Sequence, residues 1–465
     1  MKTARSEILV RGANWIGDAV MTLPALAALR DHFPLARLTV LTRPWAAGVY
    51  QGQADQVLTY EPSGRHRGLS GILALIRELT PFDLALLFQN AFSAALFPAL
   101  ARVPERWGYA RDGRGFLLTR AVRLGPLDRS VHEVFYYLNL LEKLDLPAPY
   151  QPPRLILEEA ARSEAEALLD QKGLGDDRFL LALAPGAAFG PAKRWPEEGF
   201  ARAARLILEA RPGGAVILGG TEEAPAAGRL MEMLPEPKLD LAGRTTLRTA
   251  MAVLSRSALL LTNDSGLMHL GGALGVPLAA VFGPTDPLST APLGPSRLIQ
   301  SRATCAPCRK RVCPLPRQIC FDEVSPDLVA AAALELLMEK PKGLAAVFLD
   351  PEILGPDPTA AEAALALARR GHLLVLGGPA ETSTRSRASL IQAGVPSEAL
   401  ALLPPPGLDL TSSLWIGGRL ETMAPANLAG ARSVLIPSSR EARTGFQTPT
   451  LTAPNLKRAV EWFLA

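Results

Sequence analysis

The residue that most invites a chemical reading is Asp18, which closes Arg11-Gly-Ala-Asn-Trp-Ile-Gly-Asp18. Gly12 and Gly17 lack a Cβ, so the backbone there can approach a ligand closely. Asp18 falls where a helix should begin. Two roles fit it: an N-cap accepting backbone N–H bonds, or a general base that deprotonates a hydroxyl. A helix N-terminus favours the ionised carboxylate that a base requires. A second segment, Pro185-Gly-Ala-Ala-Phe-Gly-Pro-Ala-Lys-Arg-Trp-Pro196, sets Lys193 and Arg194 beside Gly186 and Gly190. Cations next to open helix N–H groups suit a diphosphate and can neutralise a departing one. Two solvated cations on a surface loop are the alternative. In a third segment, Thr262-Asn-Asp-Ser-Gly-Leu-Met-His269, residues Asp264, Ser265 and Gly266 form a turn that can cap a helix. Its N–H groups can hold phosphate. His269 lies one turn into that helix, as a ligand contact or as a structural histidine. Phe282-Gly-Pro-Thr-Asp-Pro287 adds a further turn after an apolar run.

These segments need a scaffold, and the apolar pattern supplies one. Short apolar runs at 8–10, 38–41 and 83–88 read as strands, with a helix from Asp18 to His32 between the first two. A Pro-rich stretch, Leu146 to Pro153, reads as a linker. Beyond it, strands at 179–183, 215–218, 258–262 and 278–282 alternate with helices at 196–210, 247–256 and 267–274. A third series begins after Lys342, with strands near 344–349, 373–376, 413–416 and 433–436 and a helix near 359–370. Such alternation predicts an α/β chain of parallel sheets covered by helices. The expected parts are 1–153, 154–340 and 343–465. Ligands of open α/β sheets bind outside the carboxyl ends of the strands, which is where each of the chemical segments falls.

The bulk composition excludes several classes. The 465 residues are 48% hydrophobic and 20% charged, an ordinary globular mix. A net charge of +4 is too small an excess for a nucleic-acid binder, and it suits an anionic substrate or an anionic membrane surface. Ile8-Leu-Val10 is too short for a signal-peptide core. The richest apolar stretch, Phe88 to Val103, holds Gln89, Asn90 and Arg102 and reads as a buried helix rather than a span. The expected compartment is the cytoplasm.

Across residues 6 to 340 the sequence resembles the ADP-heptose lipopolysaccharide heptosyltransferase family. The carrying pieces are Gly17-Asp18, Phe189-Gly-Pro-Ala-Lys-Arg-Trp-Pro196, Asn263-Asp-Ser-Gly-Leu-Met-His269 and Phe282-Gly-Pro-Thr-Asp-Pro287. The Lys-Arg-Trp-Pro form, with Cys305-Ala-Pro-Cys308, Cys313-Pro and Cys320, looks most like its heptosyltransferase II branch. The resemblance implies a GT-B fold of two Rossmann-like doubly wound domains: an acceptor-binding domain, then one that binds the donor, ADP-heptose. It implies inversion at the anomeric carbon without a metal or other cofactor. Asp18 would be the base, and Lys193 would lie at the diphosphate. Gly17, Glu222, Asp264, Ser265, Gly266 and His269 would line the donor. The acceptor would be the lipid-anchored heptose/Kdo core of lipopolysaccharide, reached at the inner face of the inner membrane. On the acceptor side, Arg65, Arg67, Arg106, Arg111, Arg114 and Arg120 offer either an anion-attracting field or an ordinary solvated face, diluted by Glu105 and Asp112. A family member with a different glycan acceptor carries the same motifs.

Two features stand apart. The cysteines, spaced C-x2-C-x4-C-x6-C from Cys305 through Cys308 and Cys313 to Cys320, permit tetrahedral zinc or a compact loop of buried thiols. The third part resembles the haloacid-dehalogenase (HAD) phosphatases through Ala346-Val-Phe-Leu-Asp350 and Leu414-Trp-Ile-Gly-Gly-Arg-Leu-Glu421. That chemistry uses a second aspartate two residues after the nucleophile, a lysine, and a late Gly-Asp. Here Glu352 and Gly417-Gly418 replace two of these, and no lysine occurs between Gly343 and Leu456. The expectation is a HAD-like domain without phosphatase activity; the competing reading is a bifunctional or hydrolytic protein centred on this part.

Overall fold

A computed structural model describes residues 6–338 apart from 126–130, 176–177 and 302. Beyond 338 it describes 347–349, 358–369, 374–376, 390, 395, 400–401, 414–417, 432–435 and 451–452.

The first part alternates strand and helix. Its strands are β1 (Glu7–Arg11), β2 (Arg37–Thr42), β3 (Gln56–Thr59), β4 (Leu84–Leu87), β5 (Glu105–Tyr109) and β6 (Arg120–Val122). Its helices are α1 (Ile16–His32), α2 (Pro44–Tyr50), α3 (Gly68–Glu78), α4 (Phe92–Leu100) and α5 (Glu133–Glu142). The sheet runs β3-β2-β1-β4-β5-β6 with every pair parallel. Strands covered on both faces must be apolar throughout, and β1 and β4 accordingly bury Ile8, Leu9, Val10 and all of Leu84–Leu87.

The second part repeats the plan. Its helices are α6 (Glu159–Asp170), α7 (Glu197–Ala210), α8 (Ala224–Met233), α9 (Leu247–Ser255), α10 (Gly266–Ala273), α11 (Pro287–Thr290) and α12 (Pro326–Met338). The strands are β7 (Phe179–Ala184), β8 (Gly213–Ile217), β9 (Lys238–Asp240), β10 (Leu259–Asn263), β11 (Leu278–Phe282) and β12 (Ser296–Gln300), in parallel order β12-β11-β10-β7-β8-β9. Numbered within its own part, each sheet reads 3-2-1-4-5-6, the doubly wound order. The chain between Glu142 and Glu159, where the Pro-rich linker was expected, holds no regular element.

In the third part, β13 (Val347–Leu349), β14 (Leu374–Leu376), β15 (Leu400–Ala401), β16 (Leu414–Gly417), β17 (Arg432–Leu435) and β18 (Leu451–Thr452) form a parallel sheet, with helix α13 (Pro358–Arg369). The expected phosphatase-type positions Asp350, Glu352 and Gly418 lie outside the described residues. Among the described residues no helix is long and apolar enough to cross a membrane. The apolar stretch 88–103 is not a wholly buried helix either. It forms the nine-residue α4 and exposes Phe92 and Leu100.

Candidate active site

The loop after β1 is fixed from several sides. The buried Arg11 guanidinium donates to the carbonyls of Gly12 (2.7 Å) and Leu41 (2.8 Å) and to Asn14 Oδ1 (2.9 Å). The Tyr50 hydroxyl accepts from Ala13 N–H at 3.1 Å, and Thr42 donates to the Ala13 carbonyl at 2.7 Å. The N-cap of α1 is Trp15, which makes no side-chain cap bond. Asp18 is therefore the third residue of the helix and does not cap it, which removes the first of the two roles the sequence allowed.

Two glycines bring the first turn of α1 against the first turn of α10. A Cβ on Gly17 would stand 2.6 Å from His269 Cδ2, and one on Gly266 would stand 2.9 Å from Ile16 Cβ. Nothing larger than hydrogen fits at either place. The seam sets Asp18 facing the carboxyl edge of the second sheet. Asp264, 4% exposed, directly follows β10 there and pairs with Lys193 at 2.5 Å. Lys193 comes from the loop after β7, the strand next to β10. Asn263 ties down both ends of that loop: its Oδ1 accepts from Trp195 N–H at 3.1 Å and its Nδ2 donates to the Pro185 carbonyl at 2.6 Å. Ser265 caps α10, accepting weakly from Met268 N–H at 3.4 Å.

Burial decides the protonation of this cleft. The Asp18 carboxyl is pushed up to about 6, first by burial and then by Asp264, against the pull of Lys193. The helix N-terminus was expected to hold it low; desolvation outweighs that effect. Glu133, the first residue of α5, is pushed up to about 7 by burial and then by Asp18, with Arg111 opposing. His269 is driven down to about 4 by burial, and its Nδ1 finds no hydrogen-bond partner among the described residues. His132 is likewise lowered to about 4 by burial. It bridges the two parts: its Nδ1 accepts from Val134 N–H at 3.2 Å, so its Nε2 donates to the Ala291 carbonyl at 2.8 Å.

The remaining expected residues differ in exposure. Glu222 is exposed on the turn after β8. Its neighbour Glu223 turns inward, accepting from Gly220 N–H at 2.5 Å and packing where a Cβ on Gly186 would sit. Among the acceptor-side cations, Arg114 is fully buried and serves main-chain carbonyls, including those of Tyr109 and Gln89. Arg106 donates to the Leu117 and Val103 carbonyls. Arg120 donates to the Leu144 carbonyl and pairs with Asp145. Those three are committed to the fold. Arg65 is half exposed beside Glu61 and Glu78, Arg67 is exposed, and Arg111 stands near Glu133 and Tyr136.

The four cysteines are free thiols that converge on one cavity of about 120 Å³. Among the described residues, no group of three or more His, Cys, Asp or Glu is placed to hold a metal ion. Burial, then the neighbouring thiols, pushes Cys320 up to about 11. What the loop visibly does is brace Lys193. The Arg311 carbonyl accepts from Ala192 N–H at 3.1 Å, and Gln318 donates to the Pro191 carbonyl at 3.0 Å. Gly190, at φ +155°, passes so close that a Cβ would lie 2.4 Å from the Arg311 carbonyl oxygen.

Asp18, Lys193 and the α10 N-terminus thus meet between two doubly wound sheets. Residues 72–318 match the family described as Glycosyltransferase family 9 (heptosyltransferase). The chain belongs to glycosyltransferase family 9. It is 32% identical over 307 residues to lipopolysaccharide heptosyltransferase 2 of Salmonella typhimurium, covering 62% of this chain and 85% of that protein. It is 29% identical over 299 residues to lipooligosaccharide heptosyltransferase 2 of Haemophilus influenzae, covering 62% and 86%. The structure of Escherichia coli ADP-heptose LPS heptosyltransferase II matches with a TM-score of 0.59 and 27% identity, over 71% of this chain and 98% of that one. The glycosyltransferase family 9 protein of Veillonella parvula matches in fold, with a TM-score of 0.65 and 24% identity, over 73% and 99%. The first two sheets are accordingly the GT-B pair of a glycosyltransferase.

Proposed function

We propose that the enzyme transfers heptose from ADP-heptose to the heptose/Kdo inner core of lipopolysaccharide, with inversion and without a metal ion. The observation that carries this is the placing of Asp18 across the α1–α10 seam from the Lys193–Asp264 pair. Asp18 takes the proton of an acceptor hydroxyl. The freed oxygen attacks the anomeric carbon from the face opposite ADP, the bond from that carbon to the β-phosphate oxygen breaks, and ADP leaves with the electron pair. Lys193 and the N-terminal N–H groups of α10 receive the negative charge that develops on the diphosphate, a task that elsewhere falls to a divalent cation. Asp264 orients the Lys193 ammonium. A carboxyl with a pKa near 6 is ionised at neutral pH and remains a stronger base than an ordinary aspartate. Gly17, Ser265, Gly266 and His269 shape the donor side, with Glu222 as a ribose contact at its rim. Arg67 and Arg111 are the cations available to an anionic acceptor, and the lipid anchor of that acceptor brings the enzyme to the cytoplasmic face of the inner membrane.

The test is ADP release from ADP-heptose with a heptose-bearing core acceptor, in the presence of EDTA, for wild type and Asp18→Asn. Turnover by the wild type that collapses in the variant, with donor binding kept, is the expected result. Failure of the wild type to bind ADP-heptose would overturn the donor assignment, and loss of turnover on chelation would overturn the metal-free step.

A further inference from the structure

Outside the cleft, the carboxyl edge of the first sheet carries an apolar rim that is exposed among the described residues. Leu69, in the first turn of α3, is 82% exposed, and Phe116, in the 3-10 turn Gly115–Leu117, is 77% exposed. Phe92 opens α4 in an exposed position, and its ring centroid lies 6.2 Å from that of Phe116. Leu73 continues the exposed line one turn along α3. A single exposed leucine needs no explanation, but several large apolar side chains exposed along one edge do. The three segments follow β3, β4 and β5, so the rim stands at the same sheet edge as Asp18, which follows β1.

The charge around the rim decides what fits it. In the described loops that follow β3, β5 and β6 at this edge, Arg65, Arg67, Arg111 and Arg123 are exposed or partly exposed, against the acidic Glu61 and Asp112. Arg67 is exposed two residues before Leu69, and Arg77 is exposed four residues after Leu73 on the same helix face. Apolar tips flanked by guanidinium groups complement a bilayer of anionic lipid: the tips enter the acyl boundary and the cations meet the phosphates. A protein partner of ordinary composition gives the arginines no comparable field.

We infer that the rim formed by Leu69, Leu73, Phe92 and Phe116 seats the enzyme on an anionic phospholipid surface, with the Asp18 edge of the first sheet turned toward the bilayer. This rests on the reading that the acceptor is lipid-anchored, and it gives that reading its geometry: the acceptor glycan reaches Asp18 from the membrane side while the donor enters from the second sheet.

The experiment is flotation of the full chain with phosphatidylcholine vesicles containing phosphatidylglycerol, compared with pure phosphatidylcholine. The wild type is expected to float with the anionic vesicles and to be released by raised salt. Leu69→Asp/Phe116→Asp is expected to bind at least tenfold more weakly with an unchanged Tm. That variant should transfer to a water-soluble, delipidated acceptor at the wild-type rate, and more slowly to the same glycan embedded in vesicles. Arg77→Glu, which leaves the apolar tips intact, should weaken binding severalfold on its own. Absence of wild-type binding, or equal binding by the double variant, overturns the proposal. So does a wild-type dimer that the double variant abolishes, which would make the rim a contact between copies. A wild type that floats but transfers to no soluble acceptor refutes the proposed activity and leaves the docking surface standing.

Discussion

Asp18 provides the sharpest test, because its environment predicts a number. An N-terminal helix position alone would hold the carboxyl near or below its ordinary value of 3.8, so a base there would stay ionised through the whole range in which the enzyme can be assayed. Burial beside Asp264 instead moves it to about 6. The ionised fraction is then about 97% at pH 7.5, about half at pH 6 and about 9% at pH 5, from the titration of a single group. The second-order rate constant kcat/KM, which reports groups of the free enzyme, should therefore fall about tenfold between pH 7.5 and pH 5. Asp18→Asn should lose roughly a hundred- to ten-thousandfold in kcat, the usual worth of general-base catalysis, and its residual activity should show no limb near pH 6. Glu133 also titrates in this range, at about 7, so Glu133→Gln serves as the control and should retain the limb. The assay is continuous ADP release from pH 5 to 8, at subsaturating donor and acceptor for kcat/KM and at saturation for kcat, with donor binding measured separately. A flat wild-type profile down to pH 5, or a limb that survives in Asp18→Asn, would refute the assignment.

Three further outcomes follow from the same geometry. Lys193 opposes the upward shift of Asp18, so Lys193→Met should move the acid limb to higher pH while lowering kcat roughly a hundred- to a thousandfold; a limb that does not move separates the two residues. Gly17→Ala would place a Cβ 2.6 Å from His269 Cδ2, so it should cost about 1–3 kcal/mol as an overpacked seam, lower the Tm and depress turnover, whereas wild-type values for both would mean α1 and α10 are not held this closely. His132 and His269, lowered to about 4, favour the fold less as pH falls below 6.5, while Asp18 and Glu133, raised to about 6 and 7, favour it less as pH rises above about 4.5. Two protons against two leave little net slope between pH 4.5 and 6, so Asp18→Asn should unmask a stability that rises by about 1.4 kcal/mol per pH unit across that window, read as Tm against pH.

Much of the scaffold was legible because buried parallel strands have a simple signature. Runs such as Ile8-Leu-Val10 and Leu84–Leu87 tolerate no polar residue on either face, and both lie within strands. Helix ends were less legible. Helix α1 starts two residues before Asp18, with Trp15 as an N-cap that no side-chain rule would choose. The reason is tertiary: Arg11, Thr42 and Tyr50 hold the preceding loop, so the helix needs no cap of its own to fix its start. The stretch 88–103 misled for a related reason. Its apolar content speaks of burial, but Phe92 falls on the first turn of α4, where the side chain leaves the sheet edge instead of entering the core.

The site was legible as a set of motifs and illegible as a set of charges. Arg114 shows why: an arginine in a loop after a strand looks like a ligand for an anion, yet this one is fully buried and donates to main-chain carbonyls such as those of Tyr109 and Gln89, so its charge serves the loop. Glu133 is the converse. It sits in Val131-His-Glu-Val134, a segment without glycine or any phosphate-type pattern, and only the packing of α5 on the seam brings its carboxyl under the influence of Asp18. His132 before it closes the same seam through the Ala291 carbonyl, a contact across 159 positions of sequence. Asn263 belongs with these, since its amide fastens both Pro185 and Trp195 and so sets where Lys193 emerges. In each case the chemistry depends on how two separately wound sheets meet. The pattern within either half specifies the sheet edge; the fit between Gly17 and His269, and between Gly266 and Ile16, decides which side chains on those edges share one electrostatic environment.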